Sequence, residues 1–160
     1  TAAWLEQRDF NSDSWATIAS YAEAGNAAEV YALGAEKSFT SGSRSFVARI
    51  VGFNHDDLAD GSGKAGITLM LIGFIHETVT LAGSSNTATF KGKMWPDFNP
   101  RKNIANYTAA LPSNLCSELK TVTKKYYNHN NSQIATTEDT YFLPSCRLRD
   151  SEYFVQDGRS

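Results

Sequence analysis

The chain has 160 residues, of which 41% are hydrophobic, and its 15 Lys and Arg against 17 Asp and Glu give a net charge of −2. That length predicts one domain, spanning 1–160, able to bury roughly two-thirds of its unfolded surface. The near-neutral charge argues against nucleic acid as a partner, and the longest apolar run, Ile67 to Ile75, is half of what a membrane-spanning helix needs, so no membrane insertion is expected.

Residues 1–12 read as an N-terminal extension. Ser12, Asp13 and Ser14 then offer N-cap oxygens, and Trp15, Ile18, Ala19 and Ala22 follow at i, i+3, i+4 and i+7. Gly25 stands where a C-terminal glycine would stop the helix. The spacing therefore predicts a helix over 14–24 with Trp15 as its anchor in the core. Lys37 to Thr40 and Arg44 to Phe53 flank Ser41-Gly42-Ser43 and read as a β-hairpin. Both faces of the second strand are largely apolar, which suits a central position in a sheet. Gly66 to Ile75 reads as another strand, and Glu77 to Ala82 as its continuation.

Residues 83–110 are expected to form a long loop region, since 83–106 is rich in Ser, Asn, Thr, Gly and Pro. Long loops in compact domains are often functional. Leu115, Leu119, Val122 and Tyr126 repeat at helical spacing after Pro112-Ser113, which predicts a second amphipathic helix over 113–126. Asn128 to Ser132 reads as a polar loop and Thr140 to Leu143 as a last strand. The fold class is thus α+β: a small mixed or antiparallel sheet, two amphipathic helices and long loops.

Charge is uneven along the chain. Residues 1–90 hold five Lys and Arg against ten Asp and Glu, while 91–160 hold ten against seven. The basic stretch Lys91, Lys93, Arg101, Lys102, Lys120, Lys124, Lys125 reads as a solvated face, with contact to an anion or glycan as the sharper reading. Cys116 and Cys146 are the only cysteines, and their spacing leaves a bridge open.

Several motifs fail on inspection. Gly61-Ser62-Gly63-Lys64 resembles a phosphate loop, but Leu58 stands where the first glycine belongs and Ala65 follows the lysine. His76-Glu77 opens like a zinc helix, yet Thr80 replaces the second histidine, and His55 and His129 lie elsewhere. No Gly-x-Ser-x-Gly is present. Asp56, Asp57 and Glu77 could supply a carboxylate pair for glycoside hydrolysis, though spacing alone does not select them. Asp56, Asp57 and Asp60, with Ser62, crowd oxygen ligands into one short stretch. They are the candidate Ca²⁺ ligands, against the plainer reading of an acidic turn; no other cofactor is expected. Asn106-Tyr107-Thr108 and Asn130-Asn131-Ser132 match the glycosylation triplet, which matters only in a eukaryotic secretory pathway.

Ser14-Trp15-Ala16-Thr17-Ile18, Gly25-Asn26-Ala27-Ala28 and Leu33-Gly34-Ala35-Glu36-Lys37 carry a resemblance that strengthens through Arg49 to Asp56 and Leu58 to Thr68. Leu111 to Leu115, Lys120 to Val122, Lys124-Lys125, Thr136-Thr137 and Phe142 to Ser145 extend it over most of 14–145. The chain resembles a family of uncharacterised domains found in phage and prophage structural proteins and in surface proteins of Gram-positive gut bacteria. Family members carry Trp, five residues and Arg before a Thr-Trp-Leu-Asn-like run. Here Trp95 and Arg101 keep that spacing, but Lys102-Asn103-Ile104-Ala105 replaces the run, and the Trp-Leu-Arg-Ser-Pro segment of the family's C-terminal half is absent.

The resemblance implies a reduced C-type-lectin-like domain on a virion or an extracellular surface. It brings no catalytic residues, so the chain is not expected to be an enzyme. It implies a display module for attachment to a host-surface protein or glycan, working beside other virion or surface subunits and as a homo-oligomer. The alternative is a structural decoration or assembly subunit with no ligand of its own, and the remote alternative is a small cell-wall glycan hydrolase. If the module recognises a ligand, the candidate residues are Trp95, Asp97, Phe98, Asn99, Arg101, Asn103 and Tyr107. Aromatic rings stack on sugar faces or fill protein pockets, while Asn and Arg give directional hydrogen bonds. The plainer reading is that Trp95 and Phe98 plug the core.

Overall fold

The structure, a computed structural model, describes residues 5–72, 94–128 and 130–143. It is an α+β fold with two three-stranded antiparallel sheets. Helix α1, Trp15–Glu23, starts as its sequence requires: the Ser14 hydroxyl accepts from the Thr17 amide at 3.1 Å. It ends in a Schellman turn. Gly25 takes φ +78°, its amide reaches the Ala22 carbonyl, and the Asn26 amide reaches the Tyr21 carbonyl, both at 3.2 Å. Trp15 and Ile18 are its buried residues.

A short helix α2, Ala27–Val30, leads into β1, Glu36–Ser41, and β2, Arg44–Phe53. Gly42 opens the two-residue hairpin loop at φ +60°, the sign that tight hairpin turns demand. β4, Ile67–Ile72, pairs with the other edge of β2, so β2 is central, with Phe46, Ala48 and Ile50 buried on one face. The register slips between Ile50 and Gly52, which leaves Val51 as a bulge.

Residues 8–12, expected to be an extension, belong to the folded body. The Arg8 amide donates to the Val30 carbonyl at 2.9 Å, and Phe10 is buried. Arg8 makes two 2.7 Å bonds to Asp13, whose Oδ2 also accepts from the Tyr31 hydroxyl at 2.6 Å. These bonds, Arg8's foremost, hold the Asp13 carboxyl below the usual carboxylate range. Phe10, Trp15, Tyr31 and Phe39 then meet edge to face with centroids 5.4 to 6.4 Å apart.

The second sheet has the order β3-β5-β6, built from Asp57–Leu58, Val122–Asn128 and Gln133–Asp139. Two expectations fail here. The predicted helix over 113–126 is only one helical turn, α5 at Ser113–Cys116, and Val122 onward is strand. Leu115 and Val122 are buried, and Leu119 packs on the core, so the apolar stripe is real but is shared between two elements. The β-branched run Thr121-Val122-Thr123 and the pair Tyr126-Tyr127 favour the extended chain over the helix. Among the described residues the last strand is Gln133–Asp139, not Thr140–Leu143; the β-prone Ile134-Ala135-Thr136-Thr137 run supplies it.

A third expectation fails in the supposed loop. Residues 95–110 are helical: a 3₁₀ turn at Trp95–Asp97, α3 at Asn99–Lys102 and α4 at Ile104–Ala110. Pro96 and Pro100 sit in the first positions of their turns, where a missing N–H costs nothing, so they start helices rather than break them. Glu77 to Ala82, residues 83–93, His76, His129 and Cys146 lie outside the described residues, and the bridge between Cys116 and Cys146 with them.

One buried cluster joins distant parts of the described chain, since Leu111 and Leu115 pack with Trp15, Ile18 and Ile50. The closest approach is at Gly66, where an added Cβ would lie 2.1 Å from the Ala22 carbonyl oxygen. Gly66→Ala is therefore expected to cost about 1–3 kcal/mol by overpacking. A urea melt checks it, and a midpoint equal to the parent's would contradict the α1–β4 contact.

Candidate functional site

The seven candidate contact residues fall on one helical segment, but they do different things. Two of them turn inward to a residue that the sequence did not single out. Asp139 ends β6 on the face that also carries Ala135 and Thr137, opposite Val122, and it is 1% exposed. Its Oδ1 accepts from Arg101 Nε at 2.7 Å. Its Oδ2 accepts from Trp95 Nε1 at 2.8 Å and from the Thr137 hydroxyl at 2.5 Å. A carboxylate taken out of water loses several kcal/mol of hydration, which charge-assisted bonds from all sides must offset. Here the 3₁₀ turn, α3 and β6 each supply one.

The remaining residues complete the segment. Phe98 meets Trp95 edge to face at 6.3 Å. The Asp97 carboxylate accepts from the Met94 amide at 3.3 Å and closes the first turn. Asn103 donates to the Asn99 carbonyl at 2.9 Å, and Asn106 donates to the Asn103 side chain at 3.2 Å. Tyr107 meets Tyr141 at 5.7 Å, and burial pushes both phenols up from their ordinary value. What faces solvent is a polar and small-residue surface: Lys102, Ala105, Asn106, Thr108 and Ala109 are exposed.

The three candidate Ca²⁺ ligands are each engaged separately. Asp56 is 6% exposed, and it accepts from Lys124 Nζ at 2.6 Å and from the Thr68 hydroxyl at 2.7 Å. Asp57 pairs with Lys64 at 2.6 Å on the surface, and that bond holds its carboxyl below the usual range. Asp60 accepts from the Ser62 hydroxyl at 2.6 Å and the Ser62 amide at 2.9 Å, which lower it likewise. Among the described residues no group of three His, Cys, Asp or Glu side chains could hold a metal ion. Glu77, the third acid weighed for glycan hydrolysis, lies outside the described residues.

The basic stretch is not one face. Lys124 turns in to Asp56 with its ammonium 4.1 Å from the centre of the Phe142 ring, Lys120 pairs with Glu23 at 3.0 Å, and Lys102 and Lys125 are exposed. Among the described residues a cleft of about 1220 Å³ lies between α1, β4 and the 95–122 stretch, with Ile18, Leu69, Leu71, Tyr107 and Leu115 in its walls. No helix among the described residues is long and apolar enough to cross a membrane.

Sequence reasoning found Trp95 and Arg101 but not Asp139, Thr137, Lys124 or Thr68. The signal for Asp139 lies in strand alternation, which places it on the inner face only once β6 is assigned to 133–139. Comparison of the chain with family models, with curated proteins and with solved structures finds no match.

Lys124→Met, which leaves Asp56 buried without its cation, is expected to cost about 3–5 kcal/mol in a urea melt. Adding Asp56→Asn to it should restore part of that loss. Additive losses in the double variant would mean that the two side chains do not act as a pair.

Proposed function

We propose that the chain is a non-enzymatic surface module of a phage virion or a bacterial cell, and that residues 95–110 form its contact surface for a host-surface glycan or protein. The resemblance to phage and gut-bacterial surface domains supports the setting. The observation that carries the contact reading is the fastening of this segment: Trp95 and Arg101 are drawn onto buried Asp139, while Lys102, Asn106 and Thr108 are left facing solvent. A surface ordered before contact loses less freedom on binding, so the fastening favours recognition. Side-chain amides and a lysine suit hydroxyl-rich or acidic partners.

A second reading, assembly without a ligand, has its own support. β6 lies at the edge of its sheet among the described residues. Tyr127 and Ile134 face each other across β5 and β6 and are 48% and 64% exposed. An edge strand with apolar side chains on its open face favours pairing with another subunit, and a homo-oligomer is the natural case.

One experiment separates the two. The purified chain is titrated against bacterial cell-wall glycans and whole cells, and its mass is followed by light scattering. The contact reading expects Lys102→Glu combined with Asn106→Ala to weaken retention about tenfold, or about 1.4 kcal/mol, with unchanged melting. The assembly reading expects Ile134→Lys to lower the oligomeric mass. No retention of the parent chain, with an oligomer that Ile134→Lys dissolves, would discard the contact reading in favour of assembly.

A further inference from the structure

Residues 95–110 are for the most part half-buried. Pro100 is the one buried residue among them, and α4 buries none. On one side α4 stands off the β1–β2 turn across a gap of about 450 Å³ bordered by Ser41, Gly42, Asn106 and Ala109. On the other side Trp95, Pro100 and Tyr107 supply part of the wall of the apolar cleft. Two attachments stand out among its contacts with the described residues. At its start the Asp139 carboxylate takes Trp95 and Arg101. At its end Tyr107 packs on Tyr141, the Thr108 hydroxyl lies 3.3 Å from the Tyr141 hydroxyl, and Leu111 enters the core.

These two attachments are unequal in kind. The end attachment is apolar and continuous with the core, so it persists as long as the core does. The start attachment is one buried carboxylate and the donors that surround it, and such a site is all or nothing: a single lost partner leaves the rest without compensation. Between the two, α3 and α4 meet at Asn103, whose φ of −94° and ψ of 22° lie outside the helical basin. That residue is the natural point of bending.

We propose that residues 95–102 form a strap along the apolar cleft, latched by Asp139, that opens about Asn103 while α4 and the core of α1, β1, β2 and β4 stay in place. Opening turns Trp95 and Pro100 away from the cleft and admits apolar groups to it. The inference rests on the fastening and not on what the segment contacts, so it stands or falls apart from the contact reading.

Amide hydrogen exchange on the intact chain tests it. In Asp139→Asn the amides of 95–102 are expected to lose protection about a hundredfold, while those of α4, α1 and β2 keep theirs. Trp95→Phe, which keeps an aromatic ring but removes the indole N–H together with part of the ring's bulk, should give the same order at smaller amplitude, and it decides the matter if Asp139→Asn does not fold. A fluorescent dye that binds apolar surface, anilinonaphthalene sulfonate, should bind more strongly to each opened variant. Equal loss of protection in α1 and β2, unchanged exchange in 95–102, or opening without added dye binding would each overturn the proposal.

Discussion

A carboxylate without water organises the second half of this molecule. Asp139 has a side chain with no exposed surface, and its two oxygens receive a guanidinium, an indole N–H and a hydroxyl from three different elements. Burial makes each of these bonds necessary to the others, because an uncompensated charge in that position would cost more than the local apolar packing returns. Burying one apolar side chain is worth about 1.5–3 kcal/mol. In the 95–110 segment Pro100 is buried and Trp95, Phe98 and Tyr107 are half-buried, so the bonds to Asp139 add to apolar packing in fixing where it sits.

The same logic recurs at the joint between the sheets. Asp56 lies between the end of β2 and β3, and it takes Thr68 from β4 and Lys124 from β5. Its partners come from both sheets, so one side chain ties them together. The first sheet and its helices differ in character. Phe10, Trp15, Tyr31 and Phe39 form a chain of edge-to-face rings, α1 lies on Gly66 with no room for a Cβ, and Leu111 and Leu115 close the cluster from the far end of the sequence. The fold thus joins a largely apolar body to a second sheet and a helical strap whose placement depends on two specific carboxylates.

That division explains what the sequence revealed. Helix α1 was legible because its cap, periodicity and terminal glycine all agree on one answer, and the hairpin was legible because a glycine turn sits between two β-prone runs. Leu115, Leu119 and Val122 fit a helix by spacing and are apolar in fact, yet periodicity over so few residues does not distinguish one helix from a turn followed by a strand. The Thr-Val-Thr and Tyr-Tyr pairs were the better guide. Pro96 and Pro100 read by composition as marks of a loop, yet they stand at helix starts, which only the neighbouring backbone reveals. Trp95 and Arg101 were visible as a pair, but Asp139 follows them by some forty positions. A buried ion pair between distant segments leaves no local pattern; it is a property of the sheet that brings them together.

The Trp95 indole proton reports on that carboxylate most directly. In a nuclear magnetic resonance experiment in deuterated buffer, the account predicts that the Trp95 Nε1 proton exchanges at least about a hundredfold more slowly than a solvent-exposed indole, and that Asp139→Asn removes the difference. An indole proton that exchanges at the free rate in the parent chain would mean that Asp139 does not hold the segment, and would contradict the account.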